Sequence, residues 1–210
     1  MGSFSKAISS IIFYILLRIH AIMDRLISFF HSIQPLSDTE QELMQELLYI
    51  EHIYKGERYC EQQRVCTRLG FVLQGVFKVV RTDANGDEFI QYFTSEGHFA
   101  VALESYSTQT LSEEYVEALT DCTVVTITRK AYERFEKEVV NFPAIISQIK
   151  EKALIEKYRI KSEMLTDDAQ TRYNKLVQRQ MSVVQRVPLH QIASFLGITQ
   201  HTLSRLRAKK

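Results

Sequence analysis

The chain has 210 residues, 45% of them apolar, and nearly balances 26 Lys and Arg against 25 Asp and Glu. That is enough to bury a core, as one large domain or two small ones, and no internal repeat or low-complexity segment is visible. Three cysteines (Cys60, Cys66 and Cys122) form no CxxC pair, and the six histidines are scattered, so no metal site and no four-thiolate iron–sulfur cluster is expected.

Free, mostly buried thiols in a reducing cytoplasm follow from this cysteine usage. No nucleophile–base pair or phosphate loop stands at a usable spacing, so catalytic residues, an enzymatic function and a cofactor are not expected. The charge balance hides an asymmetry. Asp168 is the last acidic residue, and residues 169–210 carry eight Lys or Arg. Residues 1–168 are left with 18 basic against 25 acidic side chains. A basic segment on an acidic body is the charge footprint of a nucleic-acid-binding domain attached to something else.

Residues 1–22 read as an apolar extension. Within AISSIIFYILLRIHAIM, Arg18 and His20 break the run before the roughly 20 apolar residues that span a bilayer. There is little positive n-region and no small-residue cleavage site, and Lys6 stands where a myristoylation signal at Gly2 wants Ser or Thr. Three readings stay open: an amphipathic helix packed on the body, a weak membrane anchor, or an extension not made in the cell. The last rests on Met23, which opens a sensible domain start.

From Asp24 to Leu48 apolar residues recur at helical spacing: Leu26, Ile27, Phe30 and Ile33, then Leu43, Leu47 and Leu48. Pro35 separates two helices, and Ser37 is expected to cap the second with Gln41 behind it. Between Ile50 and Arg129 the pattern changes to short runs punctuated by glycine. FVLQG, VFKVVRT, EFIQYF, YVEAL and CTVVTIT read as strands, with Asn85-Gly86 as a hairpin turn. Strands this short argue for a small antiparallel barrel or roll.

After Lys130 helix returns, and Pro143 resets it. Ala144 to Met164 lacks Gly and Pro, and Ile145, Ile149, Ala153, Ile160 and Met164 track one stripe, widened by Leu154, Tyr158 and Leu165. Such a helix can pack on its own barrel or pair with a copy of itself, and its length favours pairing. Thr166 before Asp167 and Asp168 reads as a fresh N-cap, which puts a hinge at Leu165–Thr166.

In VPLHQIASFLGITQHTLSRLRAKK, Pro188 starts a helix that buries Ile192, Ala193 and Leu196, and Gly197 permits a left-handed turn. Thr199 caps a second helix held by Leu203 and Leu206. The candidate DNA contacts are Thr199, Gln200, His201, Thr202, Ser204, Arg205 and Arg207. Arg205 can take two acceptors of a guanine and Gln200 an adenine edge, while Ser204, Lys209 and Lys210 can serve phosphates.

This layout resembles the Crp/Fnr family of bacterial transcription regulators. The likeness is carried by YKGERY at 54–59, GFVLQGVFKVV at 70–80, Asn85-Gly86, RYNKL at 172–176 and RVPLHQIASFLGITQHTLSR at 186–205. It covers about residues 23–210 and is most similar to the short members found in Bacteroidetes-like bacteria. The resemblance implies an α+β chain: a cyclic-nucleotide-binding-like β-roll over 23–143, a dimerisation helix over 144–165, and a helix-turn-helix domain over 166–210 without a full wing. It also implies a homodimer that binds promoter DNA and contacts RNA polymerase in the cytoplasm.

Two departures from the family pattern matter. Members that bind cyclic AMP carry a Gly-Glu and an Arg-Ser pair, which fall here at Val101-Ala102 and Ser112-Glu113. The ribose carboxylate and the phosphate guanidinium are both gone, and such a charge-assisted contact contributes ~1.5 kcal/mol or more. No response to cyclic AMP or cyclic GMP is expected. The pocket is vestigial or takes an uncharged or different ligand, so the effector is unknown. At the reading helix, His201 replaces a common Glu, so the target sequence should differ from that of standard members. The alternative reading is a ligand- or protein-binding sensor module with a vestigial helix-turn-helix, tethered to a membrane by its N-terminus.

Overall fold

A computed structural model describes residues 23–208. The three readings of residues 1–22, and the phosphate role of Lys209 and Lys210, lie outside the described residues.

Helix α1 (residues 23–33) and helix α2 (Asp38–Leu47) form the lead-in. Ser37 does cap α2, but its partner is Glu40: the Ser37 hydroxyl accepts from Glu40 N at 3.3 Å, and the Glu40 carboxylate accepts from Ser37 N at 2.8 Å. Reciprocal capping needs the residue three beyond the cap, and Gln41 is four beyond. Gln41 donates to the Leu36 carbonyl instead. Leu48 falls outside the helix as its C-cap.

The centre is a roll of two four-stranded antiparallel sheets. One has the order β1 (Tyr49–Ile53), β8 (Cys122–Thr128), β3 (Arg68–Gln74), β6 (Phe99–Ala100); the other β2 (Arg58–Cys60), β7 (Glu114–Ala118), β4 (Phe77–Thr82), β5 (Glu88–Thr94). The five strands expected from sequence are β3, β4, β5, β7 and β8. The other three escape a pattern search for local reasons. β2 and β6 are three and two residues long, and β1 carries Glu51 and His52 with only Ile53 fully buried. β4 and β5 pair from Phe77–Thr94 out to Thr82–Glu88. Between them the Asp83 carboxylate accepts from Asn85 N and Asp87 N, and Gly86 has φ +90°.

Aromatic rings join the roll to its helices. Phe30 of α1 stands edge-on to Phe142 at 5.9 Å between centroids, and Tyr132 and Phe135 of α4 (Arg129–Glu138) close on the same ring. Phe142 is fully buried and opens α5 (Phe142–Thr166), with Pro143 in its first turn where no backbone donor is needed. α5 is thus anchored at its N-terminal end.

The stripe expected to face a second copy faces this protomer's own body. Ile145 is fully buried in the roll core, and Ile149 packs on that core. Ala153 and Ile160 line a cavity against the roll, while Met164 packs on the C-terminal helices. The outward seam is the set assigned to the stripe's margin: Leu154, Tyr158 and Leu165 are 69%, 77% and 81% exposed, with Ile155 beside them. The roll is apolar enough along α5 to claim the larger stripe for itself. The helix break also shifts. Thr166 is the last residue of α5, and Asp168 is the cap, its carboxylate accepting from Thr171 N at 2.7 Å.

Four helices follow: α6 (Ala169–Arg179), α7 (Met181–Arg186), α8 (Leu189–Phe195) and α9 (Gln200–Ala208). Tyr173, Leu176, Val183, Val184, Ile192, Leu196 and Leu203 make a second core, and Val76, Phe93 and Leu119 of the roll belong to it. Phe93 and Phe195 meet at 5.2 Å between centroids. The C-terminal helices therefore dock on the roll through shared apolar burial. A short helix, α3 (Leu103–Thr108), crosses the roll between β6 and β7.

Candidate nucleic-acid interface and effector pocket

The turn after α8 is made by its backbone. Gly197 has φ +66°, its N–H donates to Ser194 O, and Ile198 N donates to Ala193 O. Thr199 precedes α9 and caps it, its hydroxyl accepting from Thr202 N at 3.1 Å. Leu203 is fully buried against Ile192 and Leu196, with Leu206 partly buried a turn later. This fixes the rotation of the helix about its axis. Thr199, Gln200, His201, Ser204, Arg205 and Arg207 are exposed, and Thr202 is half-buried, its hydroxyl 2.9 Å from that of Thr199. The i, i+4, i+7 spacing of Gln200, Ser204 and Arg207 places them along one face, with His201 and Arg205 beside them.

The basic residues of the C-terminal segment divide into two groups that the sequence does not distinguish. Lys175 pairs with Asp167 and Glu163, Arg179 with Glu163, and Arg186 with Glu96. Arg172 donates to the Met164 carbonyl. These four hold the C-terminal helices to the acidic body. Arg205 and Arg207 make no ion pair among the described residues. The charge asymmetry thus partly describes an internal joint, and the outward cations are concentrated on α9.

In the roll, the four positions that the resemblance aligns with nucleotide-binding pairs have different surroundings. Val101 and Ala102 are buried ahead of α3, and Ala102 gives that helix no side-chain cap. Ser112 is buried, with its hydroxyl donating to Glu114 O at 2.7 Å and accepting from Glu114 N. Glu113 is exposed and ion-paired with Arg81. Its carboxylate is held outward, and of the four residues Val101 alone lines the neighbouring cavity.

That cavity, of about 380 Å³, lies between the roll, α1 and α5. Phe29, Phe99, Val101, Leu103, Tyr132 and Ile149 are among its walls. Lys157 of α5 reaches across it, its ammonium 4.0 Å from the centroid of the Tyr92 ring. Burial pulls the Lys157 pKa below the ordinary lysine value, with Glu114 opposing, and burial pushes the Glu114 carboxyl up. Tyr92, half-buried beside them, donates to the Val101 carbonyl at 3.5 Å.

All three cysteines are free and buried. Cys60 and Cys66, unremarkable by spacing, meet with their sulfurs 3.1 Å apart. No linear motif announces this pair, because strand β2 and the return of the chain to β3 bring it together. Among the described residues no cluster of three or more His, Cys, Asp or Glu could hold a metal ion, and no helix is long and apolar enough to cross a membrane.

Residues 50–138 match the family of the cyclic nucleotide-binding domain. No curated protein sequence matches the chain. Among solved structures it is similar to a protein from Eubacterium rectale assigned to the Crp/Fnr transcriptional regulators, with TM-score 0.64 and 17% identity over 81% of this chain and 82% of that one. FixK2 from Bradyrhizobium japonicum gives TM-score 0.64 at 14% identity, covering 77% and 83%. The c-di-GMP-responsive global regulator CLP from Xanthomonas campestris gives 0.59 at 13% identity, covering 82% and 91%. The roll with its flanking helices is therefore a cyclic-nucleotide-binding-like domain. Over most of its length the chain shares its fold with these Crp/Fnr-family structures.

Proposed function

We propose that this protein is a homodimeric, sequence-specific DNA-binding transcription regulator of the cytoplasm that does not respond to cyclic AMP. The observation that carries the reading is α9. Its buried Leu203 turns Gln200, His201, Ser204, Arg205 and Arg207 outward together, on the only two cations of the four C-terminal helices that are not engaged in the joint among the described residues. α8 and α9 act as a helix-turn-helix, with α9 in the major groove and its N-terminal residues at base edges. Arg205 reads a guanine, Gln200 an adenine, and Thr199, Thr202 and Ser204 help position the backbone.

The exposed seam of Leu154, Ile155, Tyr158 and Leu165 supports pairing of α5 with its copy. Such a dimer presents two α9 helices to a two-fold operator, where the promoter complex would meet RNA polymerase. CLP responds to c-di-GMP by its description, so this fold is not tied to cyclic AMP. Here Val101, Ala102, Ser112 and Glu113 offer neither ribose carboxylate nor phosphate guanidinium, and Glu113 is committed to Arg81.

The test is binding to a selected duplex at two salt concentrations, for the wild type and Arg205→Ala. Affinity should fall steeply between ~50 and ~200 mM salt, as phosphate contacts require. Arg205→Ala should cost ~1–3 kcal/mol and relax preference at one base pair per half-site. Salt-insensitive binding, or an unchanged preference in Arg205→Ala, would overturn the assignment of α9.

A further inference from the structure

The cavity between the roll and α5 has a chemistry unlike that of a cyclic-nucleotide site. Its volume of about 380 Å³ is within the range of small-molecule sites, roughly 300–1,000 Å³. Phe29, Phe99, Leu103, Tyr132 and Ile149 make its walls apolar and aromatic. The charged groups at its edge are Lys150, Lys152 and Lys157 against Glu156 alone, so its local field favours an anion. Lys150 and Lys152 are exposed, whereas Lys157 is half-buried and makes no ion pair among the described residues.

An ammonium drawn out of water without a direct ion pair is costly, and the Tyr92 ring beneath it and the more distant Glu114 carboxyl offset only part of that cost. Among the described residues the lining contains no arginine, so a phosphate dianion would lack the bidentate donors it prefers. A singly charged acid with an apolar body fits better on both counts.

Resting on the regulator reading above, we infer that this cavity binds an amphipathic monocarboxylic acid, of the medium-chain or arylalkanoic class, with its apolar body among the aromatic walls and its carboxylate on Lys157. The Glu114 carboxyl acts on Lys157 by charge but makes no ion pair with it and is not part of the lining, so the ammonium keeps its direct donors for a ligand. The site is placed to act on DNA binding. Phe29 comes from α1, Phe99 and Val101 from the roll, and Ile149 to Ile160 from α5. Gln180, at the start of α7, also lines it, and its amide lies 3.5 Å from the Phe93 carbonyl of the roll. A ligand that binds one placement of these parts more tightly than another shifts the C-terminal helices by that difference.

The experiment is calorimetric titration of the whole chain with decanoate, 4-phenylbutyrate, decanol and cyclic AMP, repeated on Lys157→Met and Ala153→Phe. Decanoate should bind at least about tenfold more tightly than decanol, the ratio that 1.4 kcal/mol of charge-assisted contact gives. Cyclic AMP should not bind. Lys157→Met should remove the preference for the acid while leaving weak binding of both chains, and Ala153→Phe should abolish both by filling the cavity. Equal affinity for decanoate and decanol in the wild type, an intact preference in Lys157→Met, or failure of both decanoate and 4-phenylbutyrate to bind would overturn the inference. Duplex DNA binding is measured on the same preparations. Intact salt-dependent DNA binding without acid binding rejects this inference alone, whereas acid binding without DNA binding rejects the regulator reading.

Discussion

Arg186 and Glu96 meet through two parallel hydrogen bonds, Nη1 to Oε1 at 2.6 Å and Nη2 to Oε2 at 2.7 Å, and so tie α7 to the loop after β5. The same Oε1 accepts from Gly75 N at 2.8 Å. Arg186, helped by these backbone donors, holds the Glu96 carboxyl at about 2, below the ordinary glutamate value of 4.5. A depressed carboxylate stabilises the fold above its unfolded pKa and loses that contribution as pH falls toward its folded one. Glu96→Gln should therefore lower stability at neutral pH by about 1 kcal/mol, discounted because the bridge is a third exposed. The gap to the wild type should close between pH 4.5 and about 2. Denaturant midpoints across that range check it, and a gap that stays constant would exclude this bridge as the pH-linked tie.

Gly70 lies under the Tyr59 ring. A Cβ there would stand 2.9 Å from the Tyr59 hydroxyl and 3.2 Å from Val124 Cβ. The hydroxyl cannot yield freely, because it is 3.1 Å from Thr126 Oγ1, which donates to Glu51. Gly70→Ala should cost ~1–3 kcal/mol, in the range of overpacked cores. In the Tyr59→Phe background the same substitution should cost less, since the closest clashing atom is absent. A double-mutant cycle in chemical denaturation measures this coupling.

The Cys60–Cys66 contact has a titration signature. Cys60 shares its proton with Cys66, which pushes the Cys66 thiol below the ordinary value while Cys60 rises through the same bond and its burial. Cys60→Ala removes the donor, so the first thiolate absorbance in a pH titration should move to higher pH. Cys122 does not obscure the reading, because burial pushes it up. A thiolate that appears at the same pH in the variant would contradict the pairing.

Tyr158 and Leu154 lie one turn apart on the outward seam of α5 and support nothing within the protomer. Tyr158→Asp should shift the protein from dimer to monomer in sedimentation with little change in its unfolding midpoint when both are monomeric. Ile145→Asp should instead unfold the chain, because Ile145 is fully buried in the roll core. A Tyr158→Asp protein that stays dimeric would place the interface elsewhere.

Much of this architecture is legible in the residues, and the gaps have physical causes. Five strands show themselves by β-branched runs and the hairpin by Asn85-Gly86, because those signals are local. β2 and β6 are too short to carry a period. The α5 stripe was legible as apolar, but periodicity cannot say which partner covers it, and the roll took the side expected to meet a second copy. The Ser37 cap was legible while Gln41 as its partner was not correct, since Glu40 has the right offset. At α9, Thr199 and Leu203 set the rotation as their types suggest. The tertiary pairings Arg186–Glu96 and Arg179–Glu163 were invisible, and they decide which cations remain for a ligand. The Cys60–Cys66 pair and the Lys157 cavity are likewise products of chain return, which no linear motif records.

The central claim is that two α9 helices read a two-fold DNA site. Selection of bound sequences from random duplex DNA by the purified full chain tests it most directly. Inverted half-sites with centres about one helical turn, ~10 base pairs, apart should be enriched, and Arg205→Ala should lose the preference at one position per half-site. Recovery of no enriched sequence, or of a single half-site whose preference Arg205→Ala leaves intact, would contradict it.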